Sequence, residues 1–71
     1  MNIDIRSYIM NNFKNDSKDS LKASIEDSIN EQDEETLPGL GVFFELLWNN
    51  ANEELKNTIL SILEESVKSN E

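Results

Sequence analysis

Apolar residues recur at helical intervals from the start of the chain. Ile3, Ile5, Tyr8, Ile9 and Phe13 fall largely at three- and four-residue steps, with Asp4, Arg6, Ser7, Asn11 and Asn12 between them. This spacing predicts an amphipathic helix over about residues 3–14, capped by Asn2 or Asp4. Asn15, Asp16 and Ser17 break the pattern, and Asp16 or Ser17 is suited to cap a second helix over about residues 18–31. Its apolar ridge is narrow: Leu21, Ile25 and Ile29 at four-residue steps, with Lys22 and Glu26 spaced for an i,i+4 pair. A ridge of that width packs on one neighbour and builds no core alone. The last stripe is the clearest. Leu55, Ile59, Ile62, Leu63 and Val67, widened by Leu60, predict a helix over about residues 53–68, with Asn52 as cap and Glu64 to Lys68 as a second i,i+4 pair.

Between the second and last helices lies a stretch of different character. Residues 32–36 hold no apolar side chain and are read as an acidic linker. Leu37 to Trp48 then contains the only proline, both glycines, the only tryptophan and two of the three phenylalanines. Pro38 lacks a backbone N–H, and Gly39 and Gly41 tolerate positive φ. Pro38, Gly39 and Gly41 therefore predict a tight structural turn ahead of a third helix over about residues 41–49. Of Val42, Phe43, Phe44, Glu45, Leu46, Leu47 and Trp48, only Glu45 is polar. A helix apolar on nearly all sides is buried or offers a face to a partner. The expected fold is all-α: one small domain over residues 1–71, a bundle of four short helices around an apolar third, clasped by helices one and four, with helix two on one side.

Composition narrows the function. The 71 residues carry 15 acidic and 6 basic side chains, for a formal charge of −9. Phosphate backbones and anionic membranes repel such a chain, so neither nucleic acid nor a membrane surface is an expected partner. No apolar run approaches the roughly 20 residues of a membrane span, and the N-terminus lacks the basic start and apolar core of a signal peptide. With no cysteine or histidine, there is no thiolate metal site, no imidazole ligand and no common general base. No serine stands in a Gly-x-Ser-x-Gly turn, and Gly39-Leu40-Gly41 lacks the third glycine, the preceding strand and the lysine of a phosphate cradle. Asp33-Glu34-Glu35 lacks the alternating ligands and turn glycine of a calcium loop and is read as a solvated charge run. Glu45 is read as the exposed edge of helix three, with a raised pKa only if it is buried. No cofactor, metal or catalytic residue is expected, and the chain is read as a cytoplasmic non-enzyme.

So small a domain has little room to bury Phe43, Phe44 and Trp48 together. Leu40, Phe43, Phe44, Leu47 and Trp48 are therefore the candidate partner-binding face, for an unknown protein or a second copy. Gly41→Val is expected to be severe if Gly41 has positive φ and harmless if it does not.

The block Leu-Pro-Gly-Leu-Gly-Val-Phe-Phe-Glu-Leu-Leu-Trp, Leu37 to Trp48, resembles the signature of the type I family of small acid-soluble spore proteins of endospore-forming bacteria. The likeness extends to Ile3-Asp4-Ile5-Arg6, to Asn15–Ser17, to Ile25–Ile29 and to Asn50-Ala51-Asn52-Glu53, and so covers nearly the whole chain. The resemblance implies a protein made in the developing spore and held in the spore core, with no catalytic residues to carry over. The chain departs from the family pattern at Asp33-Glu34-Glu35-Thr36, where a lysine is expected before Leu37. The leading expectation is a stored, non-enzymatic spore-core protein acting by protein association. The rivals are a helical interaction module unrelated to sporulation and, on charge alone, an acidic mimic of DNA.

Overall fold

A computed structural model of the chain describes residues 4–69. They form four α-helices, α1 (Ile5–Phe13), α2 (Lys18–Glu31), α3 (Leu37–Asn50) and α4 (Glu53–Ser69), with a 3-10 turn at Glu34–Thr36. Among these residues there is no strand, and the fold class is all-α, as the apolar spacing predicts.

Local chemistry starts each helix. Asp4 caps α1: the Ser7 N–H donates to its Oδ1 at 3.2 Å and the Ser7 hydroxyl to its Oδ2 at 2.9 Å. Asn2, the other candidate, lies outside the described residues, as does Ile3. Ser17 caps α2, with its Oγ accepting from the Ser20 N–H at 3.1 Å. Asn52 Oδ1 accepts from the Leu55 N–H at 2.8 Å at the start of α4. Each bond satisfies one of the orphan amides of a first helical turn. The two i,i+4 pairs form on exposed faces, Lys22 to Glu26 at 3.8 Å and Lys68 to Glu64 at 3.7 Å. Exposed pairs of this kind add little to stability.

The acidic segment after α2 is more ordered than a linker. Gln32 ends α2 in the left-handed region at φ 52°. Asp33 then caps the 3-10 turn by accepting from the Glu35 N–H at 2.9 Å. The Thr36 hydroxyl is placed to donate to the Asp33 carbonyl at 2.8 Å or to the Ser28 carbonyl at 3.2 Å. It thus joins the last turns of α2 to the first turn of α3.

The expected turn at Pro38, Gly39 and Gly41 does not form. α3 begins at Leu37, with Pro38 in its first turn and no glycine at positive φ. The reason is the position of the proline. First-turn amides have no intrahelical acceptor, so the missing N–H of Pro38 costs nothing there, and its fixed φ already suits a helix. Gly39 faces α1: a Cβ at this position would meet Ile9 Cδ1 at 3.4 Å, at the short edge of ordinary van der Waals contact.

α3 is the central element, but α1, the 3-10 turn and α2 pack against it rather than α1 and α4. Val42, 8% exposed, is the one buried apolar side chain among the described residues. Phe13 of α1 meets Phe43 edge-on, ring centroids 5.2 Å apart at 67°. Arg6 grips Glu45 with both ends of its guanidinium, Nε to Oε1 at 2.5 Å and Nη2 to Oε2 at 2.9 Å. α4 is not the expected clasp. It leaves α3 at Ala51 and keeps Leu55, Leu60, Ile62, Leu63 and Val67 exposed. The radius of gyration, 13.7 Å, exceeds the ~11 Å typical of a closely packed chain of this length.

Two expectations follow. A Cβ at Gly41 meets nothing within 4 Å, so Gly41→Ala relieves a helical glycine without a clash. It is expected to stabilise the protein by about 0.5–1 kcal/mol in thermal melts, and Gly41→Val is harmless by comparison. The second concerns acid. The hydrogen bond from Arg6 holds the Glu45 carboxyl below its ordinary range, and hydrogen bonds from Ser7 do the same for Asp4. A carboxyl with a folded-state pKa below its unfolded value binds fewer protons when folded. The stability it adds is present above the unfolded pKa and disappears as pH falls through the folded one. Melting temperature is therefore expected to fall as pH drops through and below the carboxylate range. Glu45→Gln is expected to flatten that dependence, as read by circular dichroism melts at a series of pH values.

Candidate protein-docking surface

The five candidate residues of α3 occupy two adjoining faces. Leu40 and Phe43 turn toward α1 and α2, where they help line an open groove of about 440 Å³. Ile5, Tyr8, Ile9 and Phe13 of α1 form its other apolar wall, and Ser24, Ser28 and Thr36 its polar edge. Phe44 and Trp48 lie together on a second face, rings edge-on with centroids 6.0 Å apart at 75°, beside Gly41, Glu45 and Asn49. Leu47 is 47% exposed; the other four are half-buried. A full turn of α3 separates members of one stripe, and its 100° advance per residue divides the five between two stripes.

Trp48 has the most distinctive surroundings. The Lys56 ammonium of α4 sits 5.3 Å from the centre of its ring, within the range of a cation–π contact. The same ammonium lies 3.9 Å from a Glu53 carboxylate oxygen, and the Lys56 side chain is 26% exposed. Its stem covers part of α3 while its charge stays wet. Together, Trp48 and Lys56 bring α4 against the end of α3.

Glu45 is neither a buried acid nor a free one. Its side chain is 40% exposed and its carboxylate is held by Arg6. The lowered pKa is the reverse of the shift that burial would cause. This leaves an ionised acceptor paired with a guanidinium, an arrangement for holding α1 on α3 rather than for moving protons. Among the described residues, no three acidic side chains gather to hold a metal. No described helix is long and apolar enough to cross a membrane.

Arg6 and the α1 wall of the groove lay outside the candidate set. The available signal was pairwise: Arg6 is the only arginine, and Glu45 is the only charge among seven positions of the apolar run.

A substitution tests how much Trp48 contributes to packing. Removing a fully buried aromatic ring costs ~3–5 kcal/mol, and a half-exposed one a fraction of that. Trp48→Ala is expected to cost roughly half the buried figure, leaving a cooperative but lower melt. Loss of all helical signal at room temperature would instead assign Trp48 a full core role.

Comparison with known proteins covers almost the entire length. The family model of small, acid-soluble spore protein I matches residues 3–67. A small, acid-soluble spore protein I from Geobacillus kaustophilus (strain HTA426) is 46% identical over 68 residues, covering 96% of this chain and 99% of the relative. Its counterpart from Bacillus mycoides (strain KBAB4) is 40% identical over the same span and coverage. One from Geobacillus sp. (strain WCH70) is 38% identical, covering 96% of each chain. No solved structure matches the chain. With the family model spanning nearly every residue and relatives this similar along their whole length, the chain belongs to the small, acid-soluble spore protein I family.

Proposed function

We propose that this protein is a non-enzymatic component of the bacterial spore core, laid down in the developing spore and acting by association with protein. The observation that carries this reading is the end-to-end match to a family of spore proteins. The residue chemistry agrees with it. A chain without histidine or cysteine has neither of the side chains that most often supply a base or an activated nucleophile near neutral pH. Its strong negative charge argues against coating nucleic acid, since affinity of that kind comes from lysine and arginine neutralising phosphates.

Association is the reading the surface supports. The mouth of the α1–α3 groove, with Leu40 and Phe43, and the Phe44–Trp48 face beside exposed Leu47 present apolar and aromatic side chains in a rim of polar ones. Aromatic side chains are favoured where proteins meet.

The test is mass spectrometry of acid extracts from dormant spores and from growing cells of the source organism. The protein is expected in the spore extract and absent from the growing cells. Equal amounts in both, or a source that forms no spores, would overturn the reading.

A further inference from the structure

α4 carries an apolar stripe that, apart from the half-buried Ile59, the fold leaves largely uncovered. Leu55 is 44% exposed, Leu60 49%, Ile62 60%, Leu63 43% and Val67 69%. An amphipathic helix with an open apolar face is incomplete as it stands.

The order of residues in the stripe indicates what would cover it. Counting outward from Ser61, Leu60 and Ile62 stand one residue away, Ile59 and Leu63 two, and Leu55 and Val67 six. All six are apolar. At 3.6 residues per turn they spread evenly to either side of the line opposite Ser61. A stripe with that symmetry is complementary to itself when two copies lie antiparallel with their Ser61 residues level. Ile59 of each copy then faces Leu63 of the other, and Leu55 approaches Ser66 and Val67.

We infer that α4 is a self-association helix, pairing antiparallel with α4 of a second copy about a two-fold axis. Such isologous contacts are the commonest way for one chain to meet itself.

Charge selects the orientation. Two chains of charge −9 repel, but no charged residue lies between Lys56 and Glu64, so the middle of the seam is free of like-charge contact. In the antiparallel register Lys56, about 40° from the centre of the stripe, comes level with Ser66 of the other copy rather than with a charge. A parallel pair in register would set Lys56 level with Lys56 across the seam, the like-charge juxtaposition that interfaces avoid. Antiparallel pairing also opposes the two helix dipoles.

Area points the same way. The exposed aliphatic groups of the stripe offer on the order of 500 Å² per copy, so pairing reaches roughly the 1,000 Å² at which a specific interface begins. An anionic lipid surface is a poor competitor for this face, because the chain's charge opposes it.

The experiment is sedimentation equilibrium of the full chain at neutral pH and physiological salt. A reversible dimer is expected in the micromolar range. Ile62→Lys and Val67→Lys are each expected to abolish it with helical circular dichroism unchanged, since both side chains are largely exposed in the single chain. Should Ile62→Lys lose helix, Val67→Lys, the more exposed position, decides. The chain has no cysteine, so orientation is read by mixing Leu55→Cys and Ser66→Cys chains with a short bis-maleimide. Cross-linking of 55 to 66, without 55 to 55 or 66 to 66, is expected. A strict monomer at hundreds of micromolar, a dimer that survives both lysine variants, or like-with-like cross-links would each overturn the inference. None of these outcomes bears on whether the protein is found in spores.

Discussion

The crossing of α1 over α3 is the contact on which the rest of the molecule depends. Three interactions meet there: the edge-on packing of Phe13 against Phe43, the placement of Ile9 over Gly39, and the two-pronged grip of Arg6 on Glu45. Their strengths differ. The ring pair and the aliphatic contact remove apolar surface from water, the dominant favourable term in folding. The ion pair is largely solvated, so its value is geometric: a guanidinium fork admits few orientations of the carboxylate. Apolar contact holds α1 on α3, and the fork limits how it can turn. α2 is tied in more loosely through Thr36, and α4 is held at one end by the Trp48–Lys56 contact.

The residues that disclosed the fold class are those whose effects are local. Apolar spacing marked amphipathic helices, and Ser17 and Asn52 were legible as caps because a cap bonds to amides three residues away. The start of α3 was misread for a reason just as physical. Proline and glycine together resemble a turn, but proline is at home in a first helical turn, and a glycine inside a helix costs only about 1 kcal/mol, which packing can offset. The candidate docking set is divided by the geometry of the helix itself. Leu40, Phe43, Phe44, Leu47 and Trp48 are near one another in sequence, yet helical rotation sends Leu40 and Phe43 to one groove and Phe44 and Trp48 to another face. The Arg6–Glu45 pair spans 39 residues, and no local pattern specifies a contact at that separation.

Family membership and fold meet at the Leu37–Trp48 block. Its proline opens α3 and its first glycine faces Ile9. Val42 is the one buried apolar residue among those described, and Glu45 receives Arg6. Each of these features has a packing role, which is reason enough for such a block to be distinctive without a reaction behind it.

The thinness of the interior has a bearing on behaviour in strong acid. With a single buried apolar side chain among the described residues and the rest of the interior half-buried, unfolding bares side chains that water already reaches in part. At the same time the molecule reverses its electrical sign. Once its 15 carboxylates are neutral, the 6 lysine and arginine side chains dominate, and like cations hold the chains apart. Precipitation in acid generally needs sticky, newly bared cores and molecules near zero charge. Away from the crossing point near pH 4.2, this chain lacks the second condition, so its charge opposes precipitation whether or not it is folded.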